Sequence, residues 1–308
     1  PDHPYKRGKG MKASEKVNEM LKELTENIIS KLIQVQNGEK ISPWECPWDG
    51  DPMPVNFTTG EYYHGINIFN LWLVAEMKGF TSNKWCTPKQ LKTYAKQNNL
   101  EVEFKGEKCT QILRWVEGWI PESKKNTDES VMPISFPRIF YVLNRCQIRG
   151  LPEEEKPNTG DDPVKTRTNV MEFVNNTGAT VKHGDSRAYY HPRLDYVGMP
   201  AIKDFKSEDH YWNVLFHELT HWTGHEARLN RLLSLEKKDY AYEELIAEMG
   251  SALISAVMGV PSRVNHDSYI NGYIKLLRYD YQALRKAGAQ AGKAYEYLLN
   301  PEERKEVA

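Results

Sequence analysis

One short segment, NVLFHELTHWTGH at 213–225, places metal-binding side chains in a pattern that is otherwise typical of a buried helix. It contains H-E-x-x-H, with His217 and His221 four residues apart and Glu218 directly after the first histidine. Residues four apart share one face of a helix, so both imidazoles can reach one ion at about 2.0–2.1 Å. The pattern predicts a divalent metal site with Glu218 as its general base. The alternative is a chance match with two satisfied core histidines.

A catalytic zinc site uses three protein ligands, so a third ligand must come from elsewhere in the chain. His225 is a poor candidate, because the extended motif H-E-x-x-H-x-x-G-x-x-H would place histidine at the position of Ala227. The segment YAYEELIAEMGSAL (240–253) is a better source, since Glu244 and Glu248 lie one turn apart on an apolar helix. One carboxylate would bind the metal, and the other would accept a hydrogen bond from a ligating histidine.

The pattern E-x-x-A-E in this second helix resembles the gluzincin pattern E-x-x-x-D, in which the first acid is the metal ligand. This resemblance assigns Glu244 to the metal and Glu248 to the hydrogen bond with histidine, and the reverse assignment stays open. Glu243 is expected on the solvent side of the helix. The competing explanation for Glu244 or Glu248 is an ion pair with Arg228 or Arg231.

The chemistry expected of such a site is hydrolysis of a peptide bond. Zinc, or another divalent ion such as Mn²⁺, lowers the pKa of a bound water molecule. Glu218 would accept the proton from that water and pass it to the leaving amine. An oxyanion stabiliser is also expected. Nearby polar side chains are candidates for that role, and the sequence does not choose among them: Tyr189, Tyr190, His191 and His210.

Size and composition bound the class of protein. The 308 residues suffice for two domains, and 40% hydrophobic with 27% charged residues is typical of a globular chain. No apolar run approaches the roughly 18 residues needed to cross a bilayer, so no membrane segment is expected. The polar start PDHPYKRGKG is not expected to be a signal peptide. Four cysteines without a C-x-x-C pair argue against a disulfide scaffold and favour the cytoplasm.

Hydrophobic periodicity and turn residues predict an α+β protein with two domains. The first domain covers residues 1–150 and the second covers 164–308, joined by the linker LPEEEKPNTGDDP at 151–163. Helices are predicted at 14–36, 66–77, 87–99, 168–178, 207–224, 239–258, 265–286 and 291–299. Strands are predicted at 101–105, 111–119 and 136–144, with a strand pair within 188–200.

Several segments together resemble the ArdC-type antirestriction proteins of plasmids and phages. HELTHWTGHEARLNR, YEELIAE and SRAYYHPRLDYVGMP resemble the C-terminal domain of that family, and PWECPW, YYHGINIFNLW, GFTSNKWCTPKQ and FYVLNRCQIRGLP resemble its N-terminal domain. The resemblance implies a single-stranded-DNA-binding domain of α+β structure, followed by a mainly helical zincin-like metallopeptidase domain with a small sheet. It also implies protection of incoming DNA from host restriction during conjugation. Cys109 departs from the glycine common in the family after K-G-E-K.

The residues of the first domain are compatible with binding of single-stranded DNA. The segment from position 78 to position 115 contains eight basic and three acidic residues, whereas residues 1–150 as a whole contain 21 basic and 18 acidic residues. Single strands are held by aromatic rings that stack on bases and by cations that bind phosphates. The candidates of both kinds are Trp44, Trp48, Tyr62, Tyr63, Trp85, Lys84, Lys89, Lys105, Lys108 and Arg114. The alternative is a solvated basic face.

Two other functions are compatible with the same residues. One is a protein that coats single-stranded DNA and whose metal site is structural. The other is a repair protease that acts on DNA-bound proteins. Glu218 favours a hydrolytic site over a structural one, because a structural zinc ion needs no general base. The sequence does not identify the protein or peptide substrate.

Overall fold

The computed structural model describes residues 13–39, 43–48, 50–118, 134–153, 163–231, 237–261 and 267–300. Within these residues the helices are α1 (Ala13–Gln36), α2 (Ile66–Lys78), α3 (Pro88–Gln97), α4 (Pro163–Thr177), α5 (Glu208–Thr223), α6 (Lys237–Met258), α7 (Asp267–Tyr279) and α8 (Gln282–Leu299). The strands are β1 (Val55–Asn56), β2 (Lys84–Cys86), β3 (Thr110–Gly118), β4 (Ile134–Asn144), β5 (Thr180–His183), β6 (Tyr189–His191) and β7 (Tyr196–Met199). The predicted α+β class is confirmed.

The N-terminal half consists of three helices and a four-stranded sheet in the order β1-β2-β4-β3. Strand β3 pairs antiparallel with β4 over its whole length, from Thr110 opposite Val142 to Gly118 opposite Ile134. Helix α1 is amphipathic as predicted, because its apolar side chains recur every three or four residues and are buried. The described residues contain no helix that could span a membrane.

Local signals set the start of α3 as the sequence predicts. The Thr87 hydroxyl accepts a hydrogen bond from the backbone N–H of Gln90, and the Gln90 side chain accepts one from the backbone N–H of Thr87. Pro88 occupies the first helical position, where its missing N–H costs nothing. These contacts form a capping box, which is worth about 0.5–2 kcal/mol of helix stability.

The C-terminal half contains α4 to α8 and a three-stranded sheet in the order β5-β7-β6, against which α5 packs. Strand β6 pairs antiparallel with β7, as the predicted strand pair requires, and β5 pairs parallel with β7. Helices α5 and α6 approach closely at Gly250, where an added Cβ would lie 2.6 Å from the Thr220 side chain. The absence of a side chain at Gly250 therefore lets α6 lie directly against the helix that carries H-E-x-x-H.

One apolar cluster runs through both halves of the chain. It contains buried side chains from α1 and α2 together with others from α6, α7 and α8. A second cluster joins α4, β7 and α5, and it also includes Ile254 of α6 and Leu298 of α8. Helices α6 and α8 thus belong to both clusters and connect the two halves. The division into domains at 150 and 164 stays a prediction, and most of the predicted linker lies outside the described residues.

Three predicted elements differ from the structure: the strand at 101–105 and the helices at 265–286 and 291–299, the last of which is part of α8. The expected strand at 101–105 is reduced to a single bridge between Glu103 and Arg149. The expected helix at 265–286 is divided, because α7 ends at Tyr279 and α8 begins at Gln282. The Asp280 side chain accepts a hydrogen bond from the backbone N–H of Gln282 at 2.8 Å, which satisfies a free donor at the start of α8.

Candidate metal centre and nucleic-acid surface

Helix α5 positions the two histidines of the motif. It begins after Ser207, whose hydroxyl accepts a hydrogen bond from the backbone N–H of His210, and it ends before Gly224. His217 is only 4% exposed and His221 is half-buried. Their Nε2 atoms lie 3.2 Å apart, so both rings point to the same place from successive turns.

Helix α6 brings a carboxylate to these two nitrogens. The two oxygens of Glu244 lie 3.4 Å from Nε2 of His217 and 3.5 Å from Nε2 of His221. A tetrahedral ion with bonds of about 2.0–2.1 Å separates neighbouring ligand atoms by about 3.3–3.4 Å. The separations in this cluster match that spacing. The three residues therefore fit a divalent metal ion. Among the residues that the structure describes, they form a cluster of histidine and glutamate side chains with the spacing of metal ligands.

A second layer of carboxylates contacts the opposite nitrogens of both imidazole rings. Glu248 lies 3.6 Å from Nδ1 of His217, and Glu243 lies 3.3 Å from Nδ1 of His221. Such contacts fix the tautomer and the orientation of a ligating histidine. The prediction that Glu243 faces solvent is wrong, because Glu243 is only 4% exposed. Each ligating imidazole needs its own hydrogen-bond acceptor for Nδ1. Two ligating histidines therefore require two acids besides the metal ligand, and this requirement could have identified Glu243.

The arginines that could have neutralised Glu244 and Glu248 are engaged elsewhere. Arg231 forms an ion pair with Glu243 at 3.0 Å and also donates to the backbone oxygen of Thr220 at 2.8 Å. Arg228 pairs with Asp195, which precedes β7, and its guanidinium group stacks on a tryptophan of α5. Arg231 thus joins the end of α5 to α6, a role that the sequence reasoning missed.

The electrostatics of the cluster favour a cation. Burial lowers the pKa of His217, but Glu244 and Glu248 outweigh this effect and raise the pKa to about 10. Burial likewise lowers the pKa of His221, while Glu243 and Glu244 raise it to about 9. Burial raises the pKa of Glu244, yet both histidines together hold it well below its usual range. Protons balance the carboxylates in the metal-free state, and a divalent ion can take their place.

A cleft of about 600 Å³ opens beside the cluster. Its lining includes the half-buried Glu218, which places the predicted general base next to the three metal-binding candidates. The other lining residues are Arg187, Ala188, Tyr189, Tyr190, Pro192, Val214, His217, His221, Tyr240, Glu243, Glu244 and Tyr269. Strand β6 and helices α5, α6 and α7 therefore all contribute residues to this cleft.

The candidates for an oxyanion stabiliser separate into two groups. Tyr189 and Tyr190 line the cleft, whereas His191 and His210 are not among its lining residues. The Tyr190 hydroxyl donates to Asp195 at 2.8 Å, so that proton is already engaged. The structure adds a tyrosine pair that the sequence did not single out. The hydroxyls of Tyr240 and Tyr269, which also line the cleft, lie 3.2 Å apart.

The predicted stacking tryptophans of the N-terminal half are not available to bases. Trp44 and Trp85 are 0% exposed and Trp48 is 8% exposed. Trp44 packs edge-on against Phe69, and the Trp48 indole donates to the backbone oxygen of Asp51 at 3.0 Å. The prediction that these three rings stack on DNA bases is therefore wrong, since a buried ring offers no free face. Trp72, in the apolar helix α2, is also fully buried.

The remaining predicted DNA-binding residues lie on or near the surface, and three of them share a cleft. This cleft, of about 470 Å³, is lined by Tyr62, Tyr63 and Arg114 among other residues. Lys89, Lys105 and Lys108 are exposed and Lys84 is half-buried, but none of the four lines the cleft. Trp115 also lines it and is 53% exposed. Burial does not alternate along this part of strand β3, because the buried Ile112 and Leu113 are followed by the exposed Arg114 and Trp115.

Two family models match successive parts of the chain. The model described as the N-terminal domain of anti-restriction factor ArdC matches residues 18–159. The model described as a zincin-like metallopeptidase matches residues 168–290, which include all three metal-binding candidates. The two matches follow the predicted order of the domains.

Similar proteins and structures span nearly the whole chain. The crystal structure of antirestriction protein ArdC from plasmid R388 in its metal-free form is 33% identical, with a TM-score of 0.73, and covers 91% of this chain and 97% of that one. Its Mn(II)-bound form is 34% identical, with a TM-score of 0.71 and the same coverage. DNA primase TraC of Escherichia coli is 32% identical over 91% of this chain, which spans only 27% of TraC. Uncharacterized protein y4eC of Sinorhizobium fredii is 30% identical, with 90% and 91% covered.

Proposed function

We propose, because this chain belongs to the ArdC family of antirestriction proteins, that it protects incoming DNA from host restriction with two active parts. The first part is a metal-dependent peptidase site between α5 and α6. The second part is a surface of the N-terminal half that binds single-stranded DNA. The resemblance to ArdC inferred from the sequence motifs is confirmed, and the two activities are the proposal.

The observation that carries the peptidase proposal is the set of donor atoms on two buried helices. His217, His221 and Glu244 would hold the ion, since their donor atoms lie 3.2–3.5 Å apart. Two imidazoles and one carboxylate are a common ligand set of catalytic zinc. The Mn(II)-bound form of the R388 relative supports a divalent ion without selecting zinc.

The residues around the donors support hydrolysis. A bound divalent ion would acidify a water molecule and polarise a peptide carbonyl. The Glu218 carboxylate, which lines the same cleft, would accept a proton and later deliver it to the leaving amine. Glu248 and Glu243 would hold the imidazoles of His217 and His221 in the orientation that leaves Nε2 free for the ion.

The open cleft favours a catalytic site over a structural one. Structural zinc sites are closed by four protein ligands, whereas catalytic sites keep a position free. In the described residues, three donors stand beside a cleft of about 600 Å³ that also contains a carboxylate outside the donor set. A coat protein with a structural metal would need neither the cleft nor Glu218.

Removal and return of the metal tests this proposal. Chelator-treated full-length protein is expected to lose cleavage of an unfolded protein substrate and to regain it with one equivalent of Zn²⁺ or Mn²⁺. The readout is the pattern of cleavage products by mass spectrometry, with and without a single-stranded oligonucleotide. Cleavage that persists at the same rate in the chelated, metal-free protein would contradict the proposal.

The DNA-binding proposal rests on the aromatic and basic residues that line one cleft of the N-terminal half, of which Tyr62, Arg114 and Trp115 are exposed and Tyr63 is half-buried. Tyr62, Tyr63, Arg114 and Trp115 line this cleft together, and base stacking contributes about 1–3 kcal/mol per base. Unpaired bases are free to stack, while duplex bases are not. The full chain is therefore expected to bind a single strand more tightly than a duplex of the same length in a polarisation titration. Equal affinities would contradict the stacking argument.

A further inference from the structure

The cleft that contains Trp115 continues beyond the N-terminal half. A second cleft of about 240 Å³ shares His64, Asn67, Leu113 and Trp115 with it. The rest of the second cleft is formed largely by α8, with Arg285, Ala289, Gly292, Lys293 and Glu296. The two clefts are adjacent, because they share these four lining residues, and together we call them the two-segment groove, in which strand β3 supplies one part and helix α8 the other.

Close packing fixes α8 at this position. Gly65, the residue before α2, lies so near α8 that an added Cβ would be 3.8 Å from the backbone of Ala289. At Gly288 an added Cβ would be 3.2 Å from the backbone of Ile66. The two helices therefore meet through glycine with almost no side chain between them. The walls of the two-segment groove are held by this contact, so the groove is part of the folded chain.

The residues of the groove on α8 have the chemistry of a single-strand site. The Arg285 guanidinium carbon lies 5.6 Å from the centre of the Trp115 ring. Lys293 is exposed and lies about two turns further along the helix. Arg114, the residue before Trp115 in β3, is exposed and lines the N-terminal cleft. An exposed indole with cations nearby can hold a base and its flanking phosphates. Glu296 is the acid on this helix, and it faces His64 at 3.7 Å.

We propose that single-stranded DNA bound by the N-terminal sheet continues along the two-segment groove onto α8. There Arg285 and Lys293 contact phosphates, and Trp115 stacks on a base at the junction of the two halves. This inference rests on the proposed binding of single-stranded DNA and assigns part of the binding site to the C-terminal segment. Charge complementarity with the DNA phosphates supports it. Three basic residues, Arg114, Arg285 and Lys293, line the groove, together with the two acidic residues Glu61 and Glu296.

The test uses the full chain and fluorescein-labelled oligothymidylates of about 4 and about 15 nucleotides, which span the known range of single-strand site sizes. Arg285→Ala and Lys293→Ala are each expected to weaken binding of the longer strand about fivefold at 0.1 M salt. Each should also reduce the magnitude of the salt-dependence slope by about 0.7, the value for one lost phosphate contact on a single strand. The shorter strand, which the N-terminal part of the groove can hold alone, should be less affected.

Matched controls separate the groove from general charge effects. Lys286→Ala removes a cation from the same helix, but Lys286 pairs with Asp280 at 3.3 Å and is not among the groove residues. It should bind like the wild type. Arg285 also packs against the Trp115 ring, so its removal could disturb the fold. The Arg285→Gln variant and the thermal unfolding midpoint of each variant control for this effect. Lys293 is exposed, and its substitution tests the groove independently.

The outcomes distinguish this inference from the proposed function. If Trp115→Ala weakens binding while the Arg285 and Lys293 variants bind both strands like the wild type, the path onto α8 is wrong and DNA binding by the N-terminal half stands. If the wild type binds no single-stranded DNA, both proposals fail. Weaker binding by both α8 variants with unchanged Lys286→Ala supports the two-segment groove.

Discussion

Glu218→Gln is expected to reduce the kcat/KM of peptide hydrolysis by about 10²- to 10⁴-fold while leaving the metal bound. A carboxamide has nearly the shape of the carboxylate but cannot accept a proton at neutral pH. Glu218 lines the cleft without belonging to the cluster of His217, His221 and Glu244, so its replacement should spare the metal site. Cleavage of a quenched fluorescent peptide gives the rate, and elemental analysis gives the metal content.

Glu226→Gln is the matched control for this substitution. Glu226 follows the same helix, is exposed, and is not among the residues of the cleft. Its variant should retain both the metal and the activity. A Glu218→Gln protein that keeps its metal and cleaves peptide at the wild-type rate would remove Glu218 from the proposed mechanism. Loss of the metal in that variant would instead make Glu218 part of the metal site.

Glu244→Gln is expected to weaken metal binding more than Glu248→Gln does. The Glu244 oxygens lie next to Nε2 of both histidines, the side on which the ion would be held. Glu248 contacts Nδ1 of His217, on the opposite edge of the ring, and cannot reach an ion bound at Nε2. Loss of such an outer contact costs about 10- to 100-fold in metal affinity. Loss of the anionic ligand should cost more than that.

Competition with a chromophoric chelator measures both affinities on the same scale. Because the two substitutions are chemically identical and lie one turn apart on α6, the comparison controls for helix stability and for net charge. A greater loss of affinity in Glu248→Gln than in Glu244→Gln would reverse the assignment that the gluzincin resemblance suggested. Equal losses would mean that neither carboxylate is the third ligand.

The shared core connects the candidate metal site with the proposed DNA-binding groove. Helix α6 carries the candidate ligand Glu244, and an added Cβ at Gly288 of α8 would lie 3.3 Å from the Met249 side chain of α6. The same face of α8 meets the start of α2. One helix therefore packs against both the metal-binding helix and the N-terminal half. This packing is a reason to study each activity in the full chain.

Local patterns predicted most helices because their causes lie within a few residues. The apolar repeat of α1 and the capping box before α3 need no distant contact to be recognised. The strands β1, β2 and β5 were missed, since two to four residues are too few to show alternation. Their backbone hydrogen bonds go to partners far along the chain, as in the pairing of Trp85 with Asn144.

The sequence by itself predicted a divalent metal site, because the spacing of His217, Glu218 and His221 fixes their directions within one helix. It also indicated that an acid from 240–253 would complete the site. Only the tertiary structure decided that Glu243 is buried against His221 and that Trp44, Trp48 and Trp85 belong to the core. It also decided that α8 lies beside the cleft of the N-terminal half. The physical reason is that helical spacing is a local property, whereas burial and the pairing of charges depend on which distant segments pack together.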